Sequence, residues 1–295
     1  MNVLLAPTID DDDDDEVCRT CGRGFADGLV AIEKLRRDVL QSSRLLDISE
    51  VRFLVDAYYS LQDYRMQAKN QERASSVSGE PHEVITWQFQ QMHGMETTIK
   101  RVLTDYTDRE PTGMGQWAKS VIGIGPVIAA GLLAHIDISK CTSAGDLWSF
   151  AGLNPTQTWS KGMKRPWNAR LRVLCWKAGE SFVKVSGKAE SLYGQLYIER
   201  KQLELQRNEA GRFAEQAAAV LASKKIGKDT DAYKAYSQGK LPPAHIHARA
   251  KRYAVKIFLA HFFEESYRRY HHVTQPPLPY PIQHMGHVHQ IAPEV

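Results

Sequence analysis

The chain has 295 residues, 43% of them hydrophobic, which is enough apolar material for one large or two modest domains. The formal net charge is only +4, but residues 1–110 carry 13 Lys and Arg against 21 Asp and Glu, whereas residues 155–256 carry 21 against 8. No apolar run approaches the roughly 18 residues that span a bilayer and no signal peptide is recognisable, so we expect a cytoplasmic protein whose basic half binds nucleic acid.

The N-terminal residues 1–28 are predicted to form a disordered acidic tail. Asp10 to Glu16 are all acidic, and such a run repels itself and stays solvated. Cys18 and Cys21 have the spacing of half a zinc site, but no second CxxC follows, so histidines near the other terminus would have to complete it. Those candidates are His284, His287 and His289. Zinc at the two cysteines is one interpretation, and free thiols are the other.

Residues 29–110 are predicted to form a helical arm or coiled-coil hairpin. Apolar residues recur at helical spacing over about 29–46, 49–66 and 81–106, with a polar break over 73–79. The stripes on the second and third helices exceed what a lone hairpin can cover. The arm therefore predicts a homo-oligomer, a dimer at least.

The stretch that organises the following domain runs from Ser120 to Ala134. It contains Gly123-Ile-Gly125, then Pro126 and a helix of small residues. Glycines permit a tight turn at positive φ, and proline suits a first helical turn. The pattern predicts a helix-hairpin-helix that presents amides at a helix N-terminus to a DNA phosphate. A plain turn between two core helices would use the same glycines, and that alternative stays open here.

The remainder completes a mostly α fold, with residues 111–272 as one compact helical domain. A helix capped by Ser143 is followed by a basic loop and by a helix opening at Pro166. A charged helical insertion covers about 187–240, including one long helix over 187–222. The last helix starts at Pro242-Pro243 and ends near His271, and residues 273–295 are predicted to be an irregular tail rich in Pro and His.

Short motifs follow one another in a fixed order between Ile122 and Ala178. They are Gly123-Ile-Gly125-Pro-Val-Ile-Ala-Ala130, Asp137, Thr142-Ser-Ala144, Ala151-Gly-Leu-Asn-Pro155, Ser160, Lys164-Arg165, Asn168 and Leu171-Arg172. In order and spacing they resemble the C-terminal half of the DEDD-type transposases of the insertion-sequence-110 class, the RNA-bridge-guided recombinases. The resemblance covers about residues 115–185 well and, through the basic stretch 247–256, residues 240–270 loosely.

The resemblance implies a catalytic role for Ser160, which matches the serine that attacks DNA and forms a phosphoserine link. Nearby cations would stabilise the charge on the transferred phosphoryl group. The family's Ser-Gly is Ser160-Lys161-Gly162 here, and Trp167 replaces the glycine before Asn168. The family's RuvC-like half with four spaced carboxylates has no counterpart in this sequence, so Mg²⁺ would enter only with a partner's carboxylates.

The predicted function is DNA binding by a relative of that transposase domain, without autonomous strand cleavage. One alternative is a recombinase half that forms the phosphoserine link with a partner nuclease or a structured guide RNA. The other is a structural or assembly protein with a basic surface that faces nucleic acid. The residues predicted to contact DNA are Gly123, Gly125, Lys161, Lys164, Arg165, Asn168, Arg170, Arg172, Arg249, Lys251, Arg252 and Lys256.

Overall fold

The structure is a computed structural model that describes residues 40, 42–78, 83–279, 282, 286 and 290–293. The described residues form ten α-helices and no strand, which confirms the mostly α fold class. Cys18, Cys21 and the three histidines considered as their zinc partners lie outside the described residues, as does most of the predicted helix over 29–46.

The helices are, in chain order, α1 (Ile48–Ser78), α2 (Glu83–Arg109), α3 (Met114–Ser120), α4 (Pro126–His135), α5 (Ala144–Phe150), α6 (Ala169–Lys184), α7 (Leu192–Glu209), α8 (Ala214–Ser223), α9 (Asp231–Ser237) and α10 (Pro243–His271). Two short 3-10 turns, Ser42–Leu45 and Ile138–Lys140, complete the described elements.

The helices around residues 73–79 and 187–222 differ from the sequence-based prediction. The polar break predicted over 73–79 is wrong up to Ser78, because α1 continues through Glu, Arg and Ala residues that favour a helix. The single helix predicted over 187–222 is wrong as well. It is divided into α7 and α8 at Gly211, which adopts a left-handed φ of 72°.

The chain divides into two compact units, of which the first comprises Met1–Arg36 and Ser60–Thr98. Its described part consists of residues 60–78 of α1 and 83–98 of α2. Arg65 of α1 forms an ion pair with Glu96 of α2, and the Gln62 amide donates to the same carboxylate at 3.4 Å. Large apolar side chains of this unit remain 36% to 88% exposed, namely Tyr64, Met66, Val77, Val84, Trp87 and Met95.

The second unit, Arg37–Tyr59 and Ile99–Val295, is built around α10. This helix contacts α3, α5, α6 and α7. The ring centroid of its buried Phe258 lies 5.4 Å from that of Phe182 on α6, 5.3 Å from that of Tyr193 on α7 and 6.4 Å from that of Trp117 on α3. Such aromatic pairs each contribute about 1 kcal/mol beyond area burial, so this cluster fixes α6 against α10.

Candidate nucleic-acid interface

The turn between α3 and α4 runs from Val121 to Gly125. Gly123 has φ 103°, a left-handed conformation that favours glycine. A Cβ there would lie 3.3 Å from the Phe182 ring, and the Gly123 carbonyl accepts a hydrogen bond from the Ser181 hydroxyl. Gly123 therefore faces α6 and serves the turn and its packing.

Gly125 differs from Gly123 in both conformation and surroundings. Its φ of −90° and ψ of 172° are extended, so the positive φ expected at Gly125 from the sequence is wrong. The cause is Pro126, which forces the preceding residue into extended conformations. A Cβ on Gly125 would meet no described atom within 4 Å. Gly125 thus leaves an open approach to the first turn of α4, where no side chain of the described residues caps the helix.

The loop that carries Ser160 is a compact turn. The Met163 amide donates to the Ser160 carbonyl at 3.1 Å, and Gly162 takes a left-handed φ of 94°. The Trp159 indole N–H donates to the Met163 carbonyl at 2.6 Å, which orients this ring. Within the described part of the chain no group hydrogen-bonds the Ser160 hydroxyl, which is exposed beside the exposed Lys161.

The start of α6 places two predicted DNA contacts in structural roles. The helix begins at Ala169 rather than at Pro166, and the Asn168 side chain caps it by accepting from two first-turn amides at 3.0 Å. Its amide group also lies 3.4 Å from Nδ1 of His135. Arg170 is exposed but forms an ion pair with Asp56 of α1. Asn168 and Arg170 therefore orient α6 against its neighbours.

His135, at the end of α4, is the titratable group that contacts the Asn168 cap. Burial first, and then the nearby Arg52 cation, lower the pKa of His135 below its usual value. Its imidazole is therefore neutral near pH 7, and the contact with the Asn168 amide is compatible with a proton-free Nδ1. The sequence-based prediction did not include His135, because 33 residues separate it from Asn168.

Trp167, which replaces a glycine of the family pattern, is accommodated by another glycine. A Cβ on Gly152 would lie 2.8 Å from the Trp167 ring, and Gly152 itself has a left-handed φ of 68°. The Arg172 guanidinium lies 4.8 Å from the centroid of the same ring while Arg172 remains exposed. The departure from the family pattern thus gives Arg172 an aromatic support.

The cations of α10 have mostly internal partners. Arg249 donates to Glu204 at 2.6 Å and to Gln216 at 3.2 Å. Lys251 is buried and forms an ion pair with Glu180 of α6, while its stem covers Gly179. These two residues hold α10 to its neighbours, so phosphate contact is not needed to explain their charge.

The other two cations of this stretch of α10 are Lys256, which is half-buried, and Arg252, which is exposed. The Lys256 ammonium lies 4.2 Å from the Trp148 ring centroid, and burial lowers the pKa of this lysine. Arg252 is exposed as a residue, and partial burial of its guanidinium, followed by the Arg249 and Arg172 cations, lowers its pKa. Arg252 is therefore within electrostatic range of Arg172 on α6. We call the exposed cations Lys161, Lys164, Arg165, Arg172 and Arg252 the basic surface.

Other features of the described residues bear on cofactors and on membranes. Across 42–78 and 83–279, no three His, Cys, Asp or Glu side chains converge in a way that would hold a metal ion. No helix in the same ranges combines the length and the apolar character that crossing a membrane requires. Cys141 and Cys175 are buried free thiols, and burial raises the pKa of Cys175 to about 12.

The comparisons with known proteins concern the segment just described. Residues 116–193 match the model of the Transposase IS116/IS110/IS902 family. This span contains the α3–α4 turn, the Ser160 loop and α6, and it relates this part of the chain to insertion-sequence transposases, consistent with the C-terminal class of that family. Searches of curated proteins and of solved structures returned no significant match.

Proposed function

We propose that the chain binds DNA through the basic surface and does not cleave it alone. One observation carries the proposal: residues 154–179 contain six Lys and Arg and no Asp, Glu or His, and this segment lies inside the transposase family match. Five of these cations, all except Lys177, are exposed on the loop and on α6, and one of the five, Arg170, is paired with Asp56. An exposed cationic surface without interspersed acids favours a polyanion.

The contacts we propose are to the phosphate backbone. Lys161, Lys164 and Arg165 reach phosphates from the loop, while Arg172 and Arg252 extend the surface along α6 and α10. The uncapped first turn of α4 adds backbone amides beside the open Gly125. Contacts of this kind fix a strand without reading its bases. Five such cations predict that log affinity falls with log salt at a slope of roughly −4 to −5 for duplex DNA.

A second candidate function, strand transfer by Ser160, is favoured by its exposed hydroxyl beside Lys161. The hydroxyl oxygen would displace one strand from phosphorus, forming a phosphoserine ester and releasing a DNA hydroxyl that takes up a proton. A serine hydroxyl needs a base or a metal-bound partner to lose its own proton. The lysines and arginines around it stabilise negative charge but do not accept a proton, so we assign cleavage to a complex with a carboxylate-bearing partner or a guide RNA.

The test measures binding and cleavage separately. Fluorescence anisotropy with duplexes of unrelated sequence, repeated over a range of salt, should give similar affinities and the steep slope stated above. The same mixtures, with and without Mg²⁺, are then run on a denaturing gel. The result expected is binding without a covalent adduct. Salt-independent or absent binding contradicts the proposal, and a serine-linked adduct from the purified chain makes the second candidate correct.

We also propose that the chain forms a homo-oligomer through its first unit. Tyr64, Met66, Trp87 and Met95 are exposed apolar side chains on the two helices of that unit. Light scattering at tens of micromolar should report at least a dimer, and Trp87→Glu should shift the mass toward a monomer. A wild-type monomer at that concentration contradicts this proposal.

A further inference from the structure

An open cavity of about 440 Å³ lies beside the Ser160 loop. The loop contributes Trp159 and Arg165 to its lining, and Trp167 adjoins the start of α6. The first two turns of α6 supply Arg172 and Trp176, with Ala169 and Val173 on the same helix. Three tryptophans and two arginines thus line one cavity, and the first of them, Trp159, directly precedes Ser160.

The side of α6 that lines the cavity is not needed for the core. Leu171, Leu174 and Cys175 are buried, and they give this helix an ordinary inward face. Val173 and Trp176 nevertheless remain 56% and 53% exposed on the other side. About half of this large indole stays in water, so this second apolar stripe indicates a ligand surface.

A hydrogen bond holds the Trp159 ring in place, and cations lie over both the Trp159 and the Trp176 rings. The hydrogen bond from Trp159 to Met163 orients one ring, which is 39% exposed and has the Arg165 guanidinium 5.1 Å from its centroid. The Lys251 ammonium lies 5.1 Å from the Trp176 centroid. Ordered aromatic faces bordered by cations bind unpaired bases by stacking while the cations attract the flanking phosphates.

We propose that this cavity is a stacking site for unpaired bases of a single DNA strand. The inference rests on the proposed DNA binding and deepens it. Bases inside a duplex are covered by their neighbours, so only a locally opened strand offers its faces to Trp159 and Trp176. DNA is the occupant because the cavity is continuous with the cations of the basic surface, two of which, Arg165 and Arg172, line it. Since Trp159 directly precedes Ser160, stacking there would hold a base adjacent to the phosphate that faces the hydroxyl.

The experiment compares strands that differ only in their bases. The full chain is titrated with a thymidine oligonucleotide of about 12 nucleotides, an abasic strand of the same length, the uridine counterpart and a duplex. Trp159→Ala and Trp176→Ala should each weaken binding of the thymidine strand by roughly 5- to 100-fold, while duplex affinity stays within about twofold. Trp176→Phe should retain most of the affinity because phenylalanine also stacks.

The matched control is Phe53→Ala, which removes a 69% exposed aromatic side chain from α1 of the same unit and outside the cavity. It should leave binding of every probe unchanged. Quenching of tryptophan emission by the thymidine strand gives a second signal, which should shrink in both Trp variants if the rings stack on bases.

The outcomes distinguish failure of the proposed stacking site from failure of the proposed DNA binding. If the abasic strand binds as tightly as the thymidine strand, or if both Trp→Ala variants leave single-strand affinity intact, the stacking site is wrong although DNA binding stands. Equal weakening of duplex and single strand also overturns it, since the rings would then support phosphate contacts alone. Tighter, tryptophan-dependent binding of the uridine strand would replace DNA by RNA as occupant. Failure to bind any DNA removes the proposed function itself.

Discussion

The chain contains two basic segments, and the structure uses them differently. In the segment from Trp159 to Arg172, Lys161, Lys164 and Arg165 are exposed cations on a loop. In the segment from Arg249 to Lys256, three of the four cations contact Glu204, Glu180 or an indole ring. The two segments carry five and four cations in the sequence, yet the cations of the first are all exposed, whereas most of those in the second take part in helix packing.

The position of α10 explains this difference. Because α10 contacts helices on several sides, most of its cations between Arg249 and Lys256 lie at packed interfaces, where an unpaired charge is costly. Glu204 shows the requirement most clearly: its side chain is fully buried, and Arg200 and Arg249 each lie 2.6 Å from it. Among the described residues the Ser160 loop has no such buried carboxylate to neutralise, so its charge remains available to an external anion.

The largest effect predicted from this comparison follows the removal of Arg249. Arg249→Ala should lower the free energy of unfolding by about 3 kcal/mol, because it takes one cation from the buried Glu204. DNA affinity of the folded protein should stay the same. Urea unfolding followed by anisotropy checks both quantities, with Arg249→Lys as the matched control that keeps the charge. Weaker DNA binding at unchanged stability would place Arg249 in the DNA interface. It would contradict the assignment of this cation to helix packing.

The second prediction concerns the exposed segment. Combined replacement of Lys161, Lys164 and Arg165 by Ala should weaken duplex binding by roughly 100-fold at about 0.15 M salt and make the salt slope shallower by about 3. Stability should change little, since all three side chains are exposed. The control is the combined replacement of Lys224, Lys225 and Lys228, three exposed cations of the α8–α9 loop, which should have a much smaller effect. An equal loss in both variants would mean that net charge, rather than this surface, binds DNA.

Much of the fold was predictable from local sequence. The sequence did not predict which cations form ion pairs inside the fold and which remain exposed. Pro243 and the apolar spacing after it predict α10, and Ser143 with Asp146 predicts the capping box of α5. Arg249 and Glu204 are 45 residues apart, and Arg170 and Asp56 are 114 apart. Helical periodicity carries no information about such pairs, because they depend on which helices the core brings together.

The candidate site also combines features that the sequence predicts with a contact that it does not. The indoles of Trp159 and Trp176 within a run of cations are a visible sequence signal for stacking on bases, and the sequence-based prediction omitted it. The conformation of Gly125 was also predictable, since a residue before proline is extended. Contact between Trp167 and Gly152 was not, because it depends on how the loop returns to the end of α5.

Gly123 and Gly125 provide the third prediction, because substitutions at these two positions of the α3–α4 turn should have different effects. Gly123→Val should cost about 2 kcal/mol of stability, because valine resists a φ of 103° and would press on Phe182. Gly125→Val should leave stability nearly unchanged. It should lower the affinity for every DNA sequence by roughly fivefold, since it obstructs the first turn of α4. Thermal unfolding and anisotropy on both variants measure the contrast. Unchanged affinity in Gly125→Val would show that DNA does not approach this turn.

The smallest effect is expected at Ser160. Its hydroxyl is exposed and has no hydrogen-bond partner among the described residues, so Ser160→Ala removes neither a fold contact nor a charge. Affinity should therefore change by less than about twofold, and stability by less than about 0.5 kcal/mol. The measurement is anisotropy with duplex and single-stranded probes. Thr158→Ala is the matched control, because it deletes another exposed hydroxyl from the same loop.

The same variant distinguishes binding from chemistry in a complex. If a carboxylate-bearing nuclease or a guide RNA supplies what deprotonates the hydroxyl, a covalent protein–DNA adduct should form with wild type and Thr158→Ala and be lost with Ser160→Ala. Equal adduct formation by Ser160→Ala would assign the link to another residue. A large loss of affinity in Ser160→Ala without any adduct would instead mean that the hydroxyl donates to a phosphate in the ground state. In that case Ser160 would belong to the binding surface alone, alongside Lys161 and Arg165.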